Sequence, residues 1–141
     1  MRRELITVVR WLGLSILATG CLGCGMSRVS LVDTGALRLE SSVQGKVDVA
    51  WSDAYKQADG FVVTGVVRRN DTVGLPIEAT VAVEIVSLAG VVLDKAESNI
   101  LCIPRRRVNR VQGFQRFAIR FPQVPPEGSS VRILACGTWH R

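Results

Sequence analysis

The sequence predicts an all-β domain, an antiparallel β-sandwich that follows a leader and a short tether. Three observations predict it. From about residue 36 onwards the apolar residues recur with period two, turn-forming residues separate these apolar runs, and no long stretch has the helical period of 3.6 residues. Two packed antiparallel sheets are the simplest fold for such a chain.

Several segments carry the strand pattern, with β-branched or aromatic residues at alternate positions. In chain order they are 47–51, 61–67, 80–86, 117–121 and 131–136. The clearest hairpin joins Val83–Ser87 to Val91–Asp94 through a tight turn at Leu88–Gly90. With further turns at 58–60, 69–71 and 125–128, about seven strands fit an immunoglobulin-like or transthyretin-like sandwich, and a small barrel is the alternative.

Residues 1–20 have the layout of a secretory signal. Arg2 and Arg3 stand at the start, an apolar run follows, and the segment ends in small residues. A permanent transmembrane anchor is the competing interpretation. The uncharged stretch from Trp11 to Ser27 is only 17 residues long, whereas a spanning helix needs roughly 20 apolar residues, so the sequence favours a cleaved signal.

The end of this leader, Leu17-Ala18-Thr19-Gly20-Cys21, resembles the lipobox of bacterial lipoproteins. The resemblance implies diacylation of the Cys21 sulfur, cleavage before Cys21 and acylation of the new amino terminus. Two or three acyl chains anchor a protein stably, where one does not. The match departs from the usual pattern at Ala18, where leucine is commonest. Leu22 follows the cysteine instead of the aspartate that retains lipoproteins at the inner membrane, which favours the outer membrane.

The chain therefore divides into a signal peptide (1–20), a lipidated tether (21–35) and a β-sandwich domain (36–141). The protein is expected in the cell envelope, lipid-anchored and facing the periplasm. Without the leader the net charge falls from +6 to +4. This mild excess, together with the location, argues against nucleic acid as a partner.

Two cysteines of the predicted domain, Cys102 and Cys136, are candidates for a disulfide. Export places them in an oxidising compartment, where thiols tend to pair. The bridge would close a loop of 34 residues and stabilise the domain by about 2–4 kcal/mol. Two separately buried thiols are the alternative. Cys24, in the tether, is left without an intrachain partner, either as a free thiol or as a cross-link to another chain.

The arginine-rich segment, Pro104–Arg120, contains six arginines and no acidic residue. The candidate anion-binding residues are Arg105, Arg106, Arg107 and Arg110, and the other two arginines are Arg116 and Arg120. Guanidinium groups suit phosphates and carboxylates, so lipid headgroups or an acidic protein surface would be the partner. The alternative is a solvated loop that keeps a lipid-tethered protein soluble.

No constellation in the sequence predicts catalysis, a metal site or a cofactor. The one histidine, His140, is next to the last residue, and the carboxylates are scattered without a motif. We therefore expect no enzymatic activity. Most aromatic residues are predicted to lie in the core, and only Trp139 is expected to be exposed. The predicted core aromatics are Trp51, Phe61, Phe114, Phe117 and Phe121.

From Gly60 onwards the chain also resembles small exported proteobacterial proteins of uncharacterised function. The markers are Phe61–Val67, the hairpin at 86–93, the Pro-Arg-Arg-Arg segment at 104–107 and the Pro-rich stretch 121–133. This resemblance supports a sandwich and implies no activity. The predicted function is a structural or protein-interaction module of the envelope. The alternatives are a carrier that binds a small ligand or an anionic lipid, through a pocket between the sheets or the arginine-rich segment, and a small envelope enzyme.

Overall fold

A computed structural model of the protein describes residues 28–71, 74–104 and 113–139. These residues form eight strands and no helix, which confirms the predicted all-β fold. Accordingly, no helix among them is long and apolar enough to cross a membrane. The strands are β1 (Arg38–Gly45), β2 (Val47–Gln57), β3 (Gly60–Arg69), β4 (Ile77–Val86), β5 (Val92–Glu97), β6 (Leu101–Ile103), β7 (Phe114–Phe121) and β8 (Ser130–Trp139).

The strands form two sheets, as expected for a sandwich. The five-stranded sheet has the order β1-β8-β4-β5, and β6 pairs with β4 beyond the end of β5. The three-stranded sheet has the order β2-β3-β7. One pairing is not antiparallel, because β1 runs parallel to β8. The backbone N–H of Arg38 donates to the Ser129 carbonyl at 3.2 Å, so both strands start at the same end of the sheet.

The chain passes from one sheet to the other between β1 and β2, within two residues. Gly45 has a φ of +81°, a left-handed conformation that favours glycine. A Cβ atom there would also collide with the carbonyl oxygen of Gly137. A side chain at position 45 would therefore force the crossing apart.

The inner faces of the two sheets make one hydrophobic core. The period-two pattern of the sequence explains it, since alternate residues of β3, β4, β7 and β8 point inwards. The centre of the core consists of residues that are almost completely buried. They include Phe61, Val63, Val67, Ile77, Val81, Val83, Ile119, Val131 and Ile133.

Residues before β1 also pack against the sandwich. The N–H of Leu31 donates to the Ala54 carbonyl at 2.8 Å, and Ser30 forms an isolated bridge with Tyr55. Leu37 is only 5% exposed. Residues 28–31, within the segment predicted as a tether, therefore pack against β2, and a turn follows them before β1.

Candidate functional site

Several residues singled out by the sequence lie outside the described part of the chain. These are Cys21, Cys24, Arg105, Arg106, Arg107, Arg110 and His140. Lipidation and the anion-binding patch therefore stay predictions. Within the arginine-rich segment the structure does describe Pro104 and Gly113, and it describes Arg116 and Arg120 on β7.

Arg69, at the end of β3, binds both Pro104 and Gly113, the described residues on either side of residues 105–112. Its Nη1 donates to the Pro104 carbonyl at 3.2 Å, and its backbone N–H donates to the Gly113 carbonyl at 3.1 Å. Nε donates to Asp71 Oδ1 at 2.7 Å, and Nη2 donates to the Leu75 carbonyl at 3.2 Å. The Arg69 side chain is only 2% exposed, so its buried guanidinium fixes the position of Pro104, and its backbone fixes the position of Gly113.

The outer surface of the three-stranded sheet carries the most unusual group of exposed side chains. Trp51 of β2, Val66 of β3 and Arg116 of β7 are register partners in one row across the three strands. Phe114 is on the same side of β7 as Arg116, since alternate residues share a face. We call this surface, with Arg120 and the overlying Arg28, the Trp51 face.

Arg28 lies across this face at the point where the described chain begins. Its guanidinium carbon is 5.1 Å from the centroid of the Tyr55 ring, within the range of a cation–π contact. The same side chain helps to line a groove of about 500 Å³ together with Trp51, Thr64 and Arg116. The groove therefore has an aromatic wall and two guanidinium groups.

The Trp51 face has an excess of positive charge. Its two aspartates are already engaged: Asp48 pairs with Arg68 at 3.0 Å, and Asp53 accepts the Ser30 hydroxyl at 2.6 Å. Among the described residues, Arg116 and the neighbouring Arg120 form no ion pair. Their guanidinium groups are left for solvent or for a ligand.

The exposure of Trp51 corrects the prediction that it belongs to the core. Val47 and Val49 point inwards, and simple alternation would place Trp51 beside them. The register between β2 and β3 shifts between Val49 and Trp51. This bulge inserts Ala50 and turns Trp51 outwards, where it is 55% exposed.

Phe114, also predicted to lie in the core, is 42% exposed. It stands at the first position of β7, on the outer side of the alternation. The remaining predicted core aromatics, Phe61, Phe117 and Phe121, are buried as expected.

The structure does not contain the predicted Cys102–Cys136 disulfide, and both residues are free thiols. Cys102 is opposite Glu78 on one side of β4, and Cys136 is opposite Thr80 on the other side. Two inter-strand spacings amount to about 9.6 Å, beyond the roughly 7 Å limit between Cα atoms for a bridge. Sequence separation alone could not show that β4 lies between them.

We therefore expect Cys102 and Cys136 to react as independent thiols in purified protein that has never been reduced. Exposed Cys102 should be alkylated before half-buried Cys136, and a reductant should leave the unfolding midpoint unchanged. Mass spectrometry of alkylated peptides measures the order of reaction. A Cys102→Ser variant serves as the control, since Cys136 should then react as before. A linked Cys102–Cys136 peptide would contradict the register of β4.

Among the other described residues, Arg38, Glu40 and Arg132 line a second groove of about 690 Å³ at the start of β1. No group of three or more metal-ligating side chains occurs in the described part of the chain. Lys95 donates to Glu84 Oε1 at 2.9 Å on the five-stranded sheet. This hydrogen bond, with the attraction of the same carboxylate, raises the pKa of Lys95. Lysine is already charged at neutral pH, so the pair adds no group that titrates there, and its exposure makes it weak.

Comparison with known proteins gives no match: no family model, no curated protein and no solved structure matches this chain. The functional conclusion therefore depends on the residues themselves.

Proposed function

We propose that this protein is a lipid-anchored, non-catalytic β-sandwich of the bacterial cell envelope that contacts another envelope component through an exposed surface. The observation that supports a contact function best is the Trp51 face. Tryptophan and arginine are enriched at protein interfaces, and here a tryptophan that is more than half exposed lies beside arginines without an ion pair among the described residues.

The filled interior supports surface contact over a ligand pocket between the sheets. Val63, Val67, Val81 and Val83 have no exposed surface, so side chains from both inner faces occupy the centre of the sandwich. A carrier of small ligands would need a concave apolar cavity there. The groove at Trp51 lies instead on the outer side of the three-stranded sheet.

The length of the tether supports the anchor. Arg28 is seven positions after Cys21, with six residues between them, and from Arg28 onwards the chain is already packed on the sandwich. If Cys21 is acylated, a segment this short would hold the domain close to the membrane surface. Acylation of Cys21 would then decide the compartment and the surface that the domain meets first.

The anchor is tested with a Cys21→Ser variant expressed in its bacterial host. We expect wild-type protein in the membrane fraction, with an N-terminal peptide that starts at acylated Cys21. The variant should lack acyl chains and keep its uncleaved leader. Cys24→Ser is the matched control and should behave as wild type. An unmodified Cys21 in the wild-type protein, measured by mass spectrometry of the N-terminal peptide, would refute the proposal.

A further inference from the structure

We propose that the Trp51 face lies flat against the lipid headgroups of the membrane that holds the anchor. Trp51 and Phe114 would enter the interfacial layer, and Arg28 and Arg116 would contact lipid phosphates. This inference depends on the proposed anchor at Cys21, and it names the envelope component that the face contacts.

The position of Arg28 connects this face to the anchor. A fully extended chain spans at most about 3.6 Å per residue, so seven residues place the Arg28 Cα within about 25 Å of the Cys21 Cα. Because the Arg28 side chain lies over Tyr55 and beside Trp51, the chain joins the domain at the Trp51 face. The Trp51 face is therefore the part of the described domain that follows the acylated Cys21 most closely in sequence.

The chemistry of the face matches a phospholipid surface. Tryptophan is favoured at the headgroup level, where its ring meets apolar chains and its N–H meets water. Guanidinium groups bind phosphates in a bidentate fashion. Arg116 and Arg120 are exposed and have no ion-pair partner among the described residues, whereas both aspartates of the face are engaged.

The opposite surface of the sandwich has a different character and argues for the same orientation. The outer face of the five-stranded sheet is rich in glutamate and has no described aromatic side chain. Two of its basic residues, Lys95 and Arg132, are already paired with glutamates of the same face. An anionic leaflet would attract this surface less than the Trp51 face, so the domain has one side suited to the membrane and one suited to the periplasm. The glutamates are Glu40, Glu78, Glu84 and Glu97.

The contact can be measured with Trp51 as the reporter. Of the three tryptophans, Trp11, Trp51 and Trp139, the first lies in the leader that cleavage removes, so a Trp139→Phe background leaves Trp51 alone in the acylated protein. This protein is purified from its host and reconstituted into vesicles of phosphatidylglycerol and phosphatidylcholine in equal parts. A fraction of the lipids carries a nitroxide quencher at the headgroup, and vesicles of phosphatidylcholine alone serve for comparison.

We expect Trp51 fluorescence to shift to the blue and to be quenched in the anionic vesicles. Reversal of two charges by Arg28→Glu/Arg116→Glu should lower the quenching at least about twofold, because anionic lipids attract each basic side chain near the surface. The matched control is Arg38→Glu, at an exposed position of the five-stranded sheet, and it should retain the quenching. Circular dichroism confirms that each variant is folded.

The outcomes separate the face from the anchor. Acylated protein that floats with the vesicles while Trp51 stays unquenched would overturn the face and leave the anchor intact. Equal loss of quenching in Arg38→Glu and in the double variant would also overturn it. Protein without acyl chains on Cys21 would remove the anchor and the inference together. A photo-cross-link from position 51 to an envelope protein, without quenching by lipid, would assign the face to a protein partner instead.

Discussion

Replacement of Arg69 by methionine is expected to lower the free energy of unfolding by about 3–5 kcal/mol, the usual cost of removing one partner of a buried ion pair. Asp71 would lose its only charged partner among the described residues, and its other carboxylate oxygen already has no hydrogen-bond partner there. The carbonyls of Pro104 and Leu75 would lose their donors as well. The Arg69 side chain is almost completely buried and these hydrogen bonds are partly buried, so solvent would replace them only in part.

Arg68→Met is the control for this effect. Arg68 is the preceding residue of the same strand, and its ion pair with Asp48 is exposed on both sides. Such surface pairs contribute about 1 kcal/mol or less. Denaturant unfolding measures both variants, with a common slope showing that the native fold is retained. Equal losses in Arg68→Met and Arg69→Met would show that the buried hydrogen bonds of the Arg69 guanidinium stabilise the domain no more than an exposed ion pair does.

The Arg69→Lys variant separates charge from geometry. Lysine keeps the positive charge, but a single ammonium cannot place donors on Asp71, Pro104 and Leu75 in the fixed pattern of a guanidinium. We expect Arg69→Lys to recover only part of the stability that Arg69→Met loses. Removing both charges, in Arg69→Met/Asp71→Asn, should cost less than the sum of the two single changes, since no unpaired buried charge remains.

The strands of the core could be predicted from the sequence because burial on one face imposes alternation. Most inward-facing positions of β3, β4 and β8 carry apolar residues, many of them β-branched, and the β4–β5 hairpin has a short turn. The apolar positions of the sequence pattern are the buried positions of these strands, since each strand packs its apolar side against the facing sheet.

Elements without such alternation could not be predicted. β1 is an edge strand with almost every residue exposed, and β6 has only three residues. Neither contributes a repeating apolar face, so the sequence showed about six of the eight strands among the described residues. The parallel pairing of β1 with β8 follows from where Arg38 enters the sheet, which depends on contacts distant in sequence.

The candidate site was missed for a similar reason. Trp51 follows two inward-facing valines at the right spacing for the core, and a single inserted residue, Ala50, reverses its direction. The sequence predicts a turn at 69–71, whereas Arg69 is the last residue of β3, and its role depends on Pro104 and Gly113, far along the chain. Bulges and long-range clamps are tertiary features. In this chain the bulge exposes Trp51, and the contacts of Arg69 fix the positions of Pro104 and Gly113.

Replacement of Phe61 by alanine is expected to destabilise the domain by about 3–5 kcal/mol, the range for buried aromatic truncations. Phe61 is 1% exposed, and it is the direct register partner of Phe121 across β3 and β7. The two rings are 5.9 Å apart and tilted by 40°, a geometry in which aromatic pairs add about 0.5–1.5 kcal/mol beyond burial. Alanine would leave a cavity between the sheets and remove this ring contact.

Phe114→Ala provides the matched control, because it removes the same ring from an exposed position at the other end of β7. It should change the unfolding midpoint little, while weakening the proposed membrane contact of the Trp51 face. A double-mutant cycle with Phe61→Leu and Phe121→Leu measures the ring–ring term without emptying the core. Comparable losses for Phe114→Ala and Phe61→Ala would mean that Phe114 is buried in the native protein, and the Trp51 face would then lose one of its two aromatic residues. A small loss for Phe114→Ala, with a large one for Phe61→Ala, would separate the residues that hold the sandwich together from those left free to bind.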